Sequence, residues 1–427
     1  MIDTQAKPRP YFSLLGTAAI LGFATAVITF IFIAVVAVAT EAVWQQAAAA
    51  TGLPAPVWTL LVCTAGGLLV GILIRIFGDH NGIFAEIMRE FGRTGRFEYR
   101  HAPGILLTGL VSLVSGGSLG PEAPLADASG GLGTWVSERL GFDERRTRSL
   151  SYSGLSGMLG AFFTAPIGGA LLALESAQGG ATGVALYFWT LFPSLLSAAV
   201  ATVAFVTLAN TYFGQLYAFP DYVPAARHML QAVPLGLIGG AVGVLFFLFL
   251  GRLQTWLRPM KSRLILRGLI GGVGMGIAGA LLPLVLFSGE EELVELIERA
   301  AELGVAMLIV LAFVKLFVTC LILATGWKGG YIFPILFVGA ALGLAAHLLF
   351  PAIPMAVAVA ATMAGALAAT MRAPLFAILM TVVLVERETA PAVAVAVVAA
   401  SLFVALVQIT IARRAAVGAP TEAAAPQ

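Results

Sequence analysis

Long apolar runs dominate the chain, and only a few charged stretches interrupt them. Apolar segments cover residues 12–40, 56–78, 104–116, 124–138, 150–176, 184–210, 230–251, 264–287, 303–325, 331–350, 353–371, 374–385 and 389–412. A helix needs roughly 20 apolar residues to cross a bilayer, and most of these runs reach that length. Those at 104–116, 124–138 and 374–385 do not. Short hydrophobic segments interrupted by glycine and proline predict half-helices that stop at a site inside the membrane. Charged connections fall at 79–101, 139–148, 252–267 and 289–302. In the last, EEELVELIERAAE, apolar residues recur at helical spacing, which predicts a short interfacial helix.

The pattern repeats weakly. Gly160-Ala161 lead to Ala165-Pro166-Ile167 and an apolar run ending at Glu175; Gly365-Ala366 lead to Arg372-Ala373-Pro374-Leu375 and a run ending at Glu386. Upstream of each lies a Gly-rich turn opening into a proline-led helix, Gly120 to Pro124 and Gly329 to Pro334. The expected organisation is a single transmembrane domain over residues 1–418. Its first repeat covers about 56–210 and its second about 230–412, with a disordered tail at 419–427 and no soluble regulatory domain. The fold class is all-α and polytopic, with two inverted-topology repeats whose broken half-helices meet at a mid-membrane site.

Composition agrees. The 427 residues are 59% hydrophobic and 11% charged, against roughly 25% charged for a soluble domain. Mean hydropathy is +0.97. The 48 glycines suit closely approaching membrane helices. A net charge of +2 gives no reason to expect a nucleic-acid partner. Cys63 and Cys320 lie in apolar runs and read as buried free thiols. No H-E-x-x-H, P-loop or dinucleotide fingerprint occurs, so neither a metal centre nor a cofactor is expected. Lys7 and Arg9 precede the first apolar run, and Arg413 and Arg414 follow the last. They predict a multi-pass protein with both ends in the cytoplasm, most simply in a prokaryotic plasma membrane.

Against this background Glu122 stands out, in Gly116-Gly117-Ser118-Leu119-Gly120-Pro121-Glu122-Ala123-Pro124. An ionisable group inside a membrane marks a functional pathway by default. A helix starting at Ala123 or Pro124 would aim unsatisfied amides and a partial positive charge back at residues 118–122. One starting near Ile332 or Phe333 would do the same at the second turn. Two such ends converging would hold a dehydrated anion, with Glu122 competing for its place. Bland readings cover the rest. Lys315 is expected to snorkel or cap a helix, and Arg372 to meet a helix C-terminus or a carboxylate. His347 is read as packed, and Arg258, Lys261, Arg263 and Arg267 as a cytoplasmic loop at lipid headgroups. Gly154-Leu155-Ser156-Gly157 matches the G-x-S-G of intramembrane serine proteases with His347 as a base. Close packing of Gly154, Gly157 and Gly160 accounts for those residues without it.

GGSLGPEAP resembles the gating-glutamate motif G-[KR]-E-G-P of the CLC chloride channels and transporters. TGWKGGYIFPILFVGAALG resembles their G-G-x-F-x-P motif, with Lys315 and Thr319 as lead-in. The resemblance covers roughly residues 60–390. It implies transmembrane transport of chloride or a similar small anion, not an enzyme; voltage gating; a homodimer in a lipid bilayer; and one anion pathway per subunit. It places the gate at Glu122 and the anion at Gly120, Pro121, Ala123, Gly329, Gly330, Ile332 and Phe333. Asn81, in His80-Asn81-Gly82-Ile83-Phe84, stands where the family's G-S-G-I-P has its anion-contacting serine. Two departures bear on coupling. Proton-coupled members have an internal glutamate ten residues after the proline of A-P-[LI]; here Glu175 is nine on and Ser176 is tenth. No tyrosine follows Tyr331, so the family's anion-contacting tyrosine near the chain end is missing, unless Tyr331 supplies a hydroxyl from another direction. The expectation is a passive anion channel with a glutamate gate, the alternatives being an anion/proton antiporter or a fluoride exporter.

Overall fold

The computed structural model describes residues 8–80, 84–175, 183–210, 217–220 and 222–417. Among them, sixteen helices of eight residues or more make up two sets of eight. The first set is α1 (Pro8–Glu41), α2 (Ala55–Phe77), α3 (Phe84–Thr94), α4 (Ala102–Val114), α5 (Glu122–Arg139), α6 (Glu144–Phe162), α7 (Pro166–Glu175) and α8 (Phe192–Ala209). The second is α9 (Ala226–Leu257), α10 (Leu264–Leu281), α11 (Glu290–Glu298), α12 (Ala300–Ala324), α13 (Ile332–Leu349), α14 (Met355–Met371), α15 (Pro374–Leu384) and α16 (Ala390–Val417). Packing partners recur between the sets. α1 packs on α6 and α8 as α9 packs on α14 and α16, and α5 packs on α6 as α13 does on α14. The pair α2–α10 and the pair α7–α15 cross between the sets. Residues 8–41, outside the expected first repeat, thus make the contacts in the first half that 226–257 make in the second.

Burial sorts the helices into a ring and a centre. Among the described residues, eight helical stretches are long and apolar enough to cross a membrane. Only 28% of the most apolar window is buried in α1 and in α16, but 72% in α13. α5 and α6 are not among the eight, yet most residues of each are buried. Their neighbours are protein, so small and hydroxylated residues replace the large apolar ones that face lipid. Some of the hydroxyls bond back to their own helix, Ser151 Oγ to Thr147 O at 2.9 Å and Ser153 Oγ to Ser149 O at 2.8 Å, whereas those of Ser129, Ser149 and Ser156 have no partner among the described residues.

Three segments depart from the expected runs. Residues 150–176 do not form one helix: the chain breaks at Thr164, whose φ is +49°, and Pro166 opens α7. Residues 264–287 break where Pro283 begins a single 3₁₀ turn. The charged connection at 79–101 contains α3. The amphipathic segment does form a helix, α11, burying Leu293 and Leu296; the Glu292 carboxylate accepts the Gly289 amide at 3.0 Å.

Close approach explains the glycines best at the α2–α10 crossing. A Cβ on Gly67 would lie 2.5 Å from Gly268 O, and one on Gly272 would lie 2.9 Å from Gly67 Cα. No side chain fits between these backbones. Gly272→Leu should therefore lower the thermal unfolding midpoint of detergent-solubilised protein, consistent with an overpacking cost of about 1–3 kcal/mol. Gly16→Ala, where a Cβ meets nothing within 4 Å, should leave the midpoint in place.

Candidate anion site between two helix N-termini

The two Gly-rich turns meet. Gly120 N donates to Gly330 O at 2.9 Å and Gly330 N donates to Gly120 O at 2.6 Å, an isolated antiparallel pair linking residues 210 positions apart. A Cβ on either glycine would overlap the Glu122 carboxylate, so only glycine lets the two backbones and that side chain share the space. Hydroxyls stitch the turns crosswise. Ser112, on α4, accepts the Lys328 amide at 3.1 Å, while Thr319, on α12, donates to Ser118 O at 3.2 Å and shares a 2.8 Å bond with Ser118 Oγ. Each half thereby steadies the turn of the other.

The helices that leave these turns start alike. α5 begins Glu122-Ala123-Pro124 and α13 begins Ile332-Phe333-Pro334. α5 thus starts one residue earlier than Ala123, making Glu122 its first helical residue. Proline at the third position removes an N–H that no helical carbonyl would accept. The amides of residues 122, 123, 332 and 333 remain at the two converging positive ends, and each helix end carries about half a positive charge.

The Glu122 side chain lies among them with no solvent exposure. Its Oε1 accepts the Phe333 amide at 3.4 Å, and its Oε2 has no partner among the described residues. Charge-assisted bonds are normally about 2.7–2.9 Å, so this carboxylate is held loosely. The Phe333 ring packs on Phe162 and Phe163, with centroids 5.7 and 5.5 Å apart, and Phe163 reaches Phe376 at 6.3 Å. Tyr331 is fully buried against Phe246 at 4.7 Å, and its hydroxyl has no partner among the described residues. Gly329 is buried beside Leu119, and Pro121 caps α5. Asn81 and Ser176 lie outside the described residues.

Glu175 is elsewhere. Its two oxygens accept the Leu375 and Phe376 amides at 2.7 and 2.9 Å, so it caps the N-terminus of α15. Lys315 does not snorkel. It is fully buried, its Nζ donates to the carbonyls of Val285, Leu286 and Phe287 at 3.4, 3.0 and 3.2 Å, and it lies 4.6 Å from the Phe337 ring centroid. Arg372 caps the C-terminal end of α14 in the left-handed region and lies over Phe247. The expected basic loop is divided. Arg258, Lys261 and Arg263 are exposed, but Arg267 is buried, pairing with Asp79 at 2.6 Å and donating to Thr325 O at 3.2 Å. Ser156 Oγ has no partner among the described residues, whereas His347 Nδ1 lies 2.7 Å from Ile353 O. Gly154, Gly157 and Gly160 face the backbone or side chains of Ser129, Ser197 and Ala198 at close range, as close packing requires.

Sequence reasoning missed Lys328 and Asp127. Lys328 Nζ donates to His80 O and lies 3.6 Å from Asp79 Oδ1. Asp127, buried on α5, has one oxygen without a partner among the described residues. A lysine directly before Gly329-Gly330 in an apolar stretch was the available signal; its partner, some 250 positions away, left none.

Comparison with known proteins gives the context. Proteins called putative ion-transport protein YfeO are 28% identical. That from Salmonella schwarzengrund (strain CVM19633) aligns over 354 residues, 80% of this chain and 82% of its own; that from Shigella sonnei (strain Ss046) aligns over 365, 84% of each. The crystal structure of a slow cyanobacterial Cl⁻/H⁺ antiporter matches with a TM-score of 0.79 at 23% identity, covering 96% of this chain and 99% of that one. A CLC-type fluoride/proton antiporter matches with 0.77 at 18%, covering 93% and 96%. A eukaryotic CLC transporter matches with 0.71 at 18%, covering 91% and 72%. A family model described as voltage gated chloride channel matches residues 66–405. This chain therefore belongs to the voltage-gated chloride channel (CLC) family, an integral, multi-pass membrane family of anion transporters rather than enzymes.

Proposed function

We propose that the protein passes chloride or a similar small anion between the N-termini of α5 and α13, with Glu122 as the gate. The carrying observation is the Glu122 carboxylate itself, fully buried, resting on the Phe333 amide through one oxygen, its other oxygen without a partner among the described residues. An ionised carboxylate takes the place of the anion at the amides. A protonated one loses its hold on them and yields to the anion. The amides of Ala123, Ile332 and Phe333 bind the anion at the centre, and Asn81 is the further anion contact that the motif resemblance implies. Both chain ends lie in the cytoplasm, and the protein works as a homodimer.

The pathway is read as passive. Glu175 spends both oxygens on the α15 amides, which favours a capping role over proton carriage. A second reading, anion/proton antiport with chloride or fluoride, is favoured by the matched structures, two of which are described as proton-coupled. Liposome flux separates the two. Under the passive reading a chloride gradient drives chloride across without moving protons uphill, whereas proton pumping would establish the antiport reading. Fluoride efflux in preference to chloride, read with ion-selective electrodes, would set the anion differently.

For the gate, anion flux should rise as pH falls, because protonation releases the carboxylate. Glu122→Gln should raise flux at neutral pH by about tenfold, as loss of one competing charge-assisted hydrogen bond of roughly 1.5 kcal/mol would. It should also flatten the pH profile. An unchanged profile in this variant would remove Glu122 from the gate. Glu175→Gln should lower the thermal midpoint, by about 1 kcal/mol of lost capping, and leave the pH profile in place. A profile abolished by that variant would restore Glu175 to a proton route.

A further inference from the structure

A cavity of about 580 Å³ lies between α3, α4 and α5, and the gate does not use it. Five carboxylates line it, Asp79, Glu90, Glu98, Asp127 and Glu138, against two guanidiniums, Arg96 and Arg100. Two of the five are engaged. Asp79 holds Arg267 at 2.6 Å, and Glu138 accepts Arg96 at 3.2 Å and the Tyr99 hydroxyl at 3.0 Å. Glu90, Glu98 and Arg100 are exposed and stand at the rim. Asp127 differs from all of these. It is only 7% exposed, on the α5 wall of the cavity, and its Oδ2 has no partner among the described residues. A buried carboxylate without a counter-charge is costly, and a cation entering the cavity would relieve that cost.

We propose that this cavity binds a short aliphatic diamine, with one ammonium on Asp127 and the other among the rim carboxylates. The site rests on the cavity alone and stands whether or not the transport reading does. The wall selects the class of cation. Its other buried residues include Ile87, Phe91, Phe97 and Ile105, an apolar and aromatic surface that suits a methylene chain and attracts a cation to its ring faces. Part of that wall is fixed in advance. The Phe97 amide donates to the buried Thr134 Oγ1 at 3.0 Å, and the Phe97 ring stacks on Phe91 with centroids 4.4 Å apart. The volume falls in the range of about 300–1,000 Å³ usual for small-molecule sites. A bare metal ion suits the cavity less well. Among the described residues no three His, Cys, Asp or Glu side chains converge as ligands, so the oxygen shell that a hard cation needs is lacking.

Titration calorimetry on the full-length, detergent-solubilised chain tests this, with butane-1,4-diamine as the probe. One diamine should bind per chain, and the thermal unfolding midpoint should rise with its concentration, since only the folded cavity binds it. Asp127→Asn keeps the shape of the side chain and removes its charge. It should weaken binding by about tenfold, as loss of a charge-assisted hydrogen bond would. Glu98→Gln changes only an exposed rim residue and should weaken binding by about threefold, the scale of an exposed ion pair. Butane-1,4-diol, of the same length without the charges, should not compete. Should Asp127→Asn fail to fold, Glu98→Gln and the diol decide. A wild-type chain that binds no diamine overturns the proposal, and so does an affinity that neither variant moves. Equal affinity for the diol, or full displacement of the diamine by an equimolar alkali cation, overturns the ligand class and the proposal with it. Diamine binding that Asp127→Asn weakens, in a protein that moves no anion, would sustain the site and sink only the transport reading.

Discussion

Two backbone hydrogen bonds between Gly120 and Gly330 hold the architecture at its centre. They join the two sets of eight helices where their turns meet. They also set the separation of two helix ends that would otherwise repel, each being the positive pole of its helix. Hydroxyls from Ser112 and Thr319 reinforce the join from opposite halves. The result is a cluster of helix-start amides with partial positive charge, the centre of the proposed anion site.

This constraint also explains the location of Glu122. A carboxylate is a strong acceptor for those amides, and a fully buried charge needs such partners. One long bond to the Phe333 amide and one bare oxygen give the carboxylate only a weak grip. The proposed gating role needs a weak grip, since a carboxylate with four good bonds would be a permanent plug. The full cations stand away from this point, Lys315 on the 285–287 carbonyls and Arg267 on Asp79, so the centre keeps its mild field.

Much of this was legible in the sequence because it rests on local rules. Apolar run length predicts the spans, and Gly-Pro turns predict the helix starts at residues 122 and 332 to within a residue or two. A carboxylate in an apolar chain marks the centre. What could not be read was set by long-range pairing. Nothing local distinguishes Arg267 from its exposed neighbours Arg258 and Arg263; its burial depends on Asp79, 188 positions away. Likewise Glu175 looked like a candidate proton carrier because only the fold brings the α15 amides to it, 200 positions on. The break at Thr164 was hidden because both sides are equally apolar.

The central claim is that the Glu122 carboxylate and the transported anion compete for the same amides. Chloride titration calorimetry on purified protein across pH tests it most directly. The account predicts that wild-type affinity weakens as pH rises and the carboxylate ionises. It also predicts that Glu122→Gln binds chloride more tightly than wild type at neutral pH, with an affinity that does not change with pH. Equal affinities and parallel pH dependence in the two proteins would contradict it.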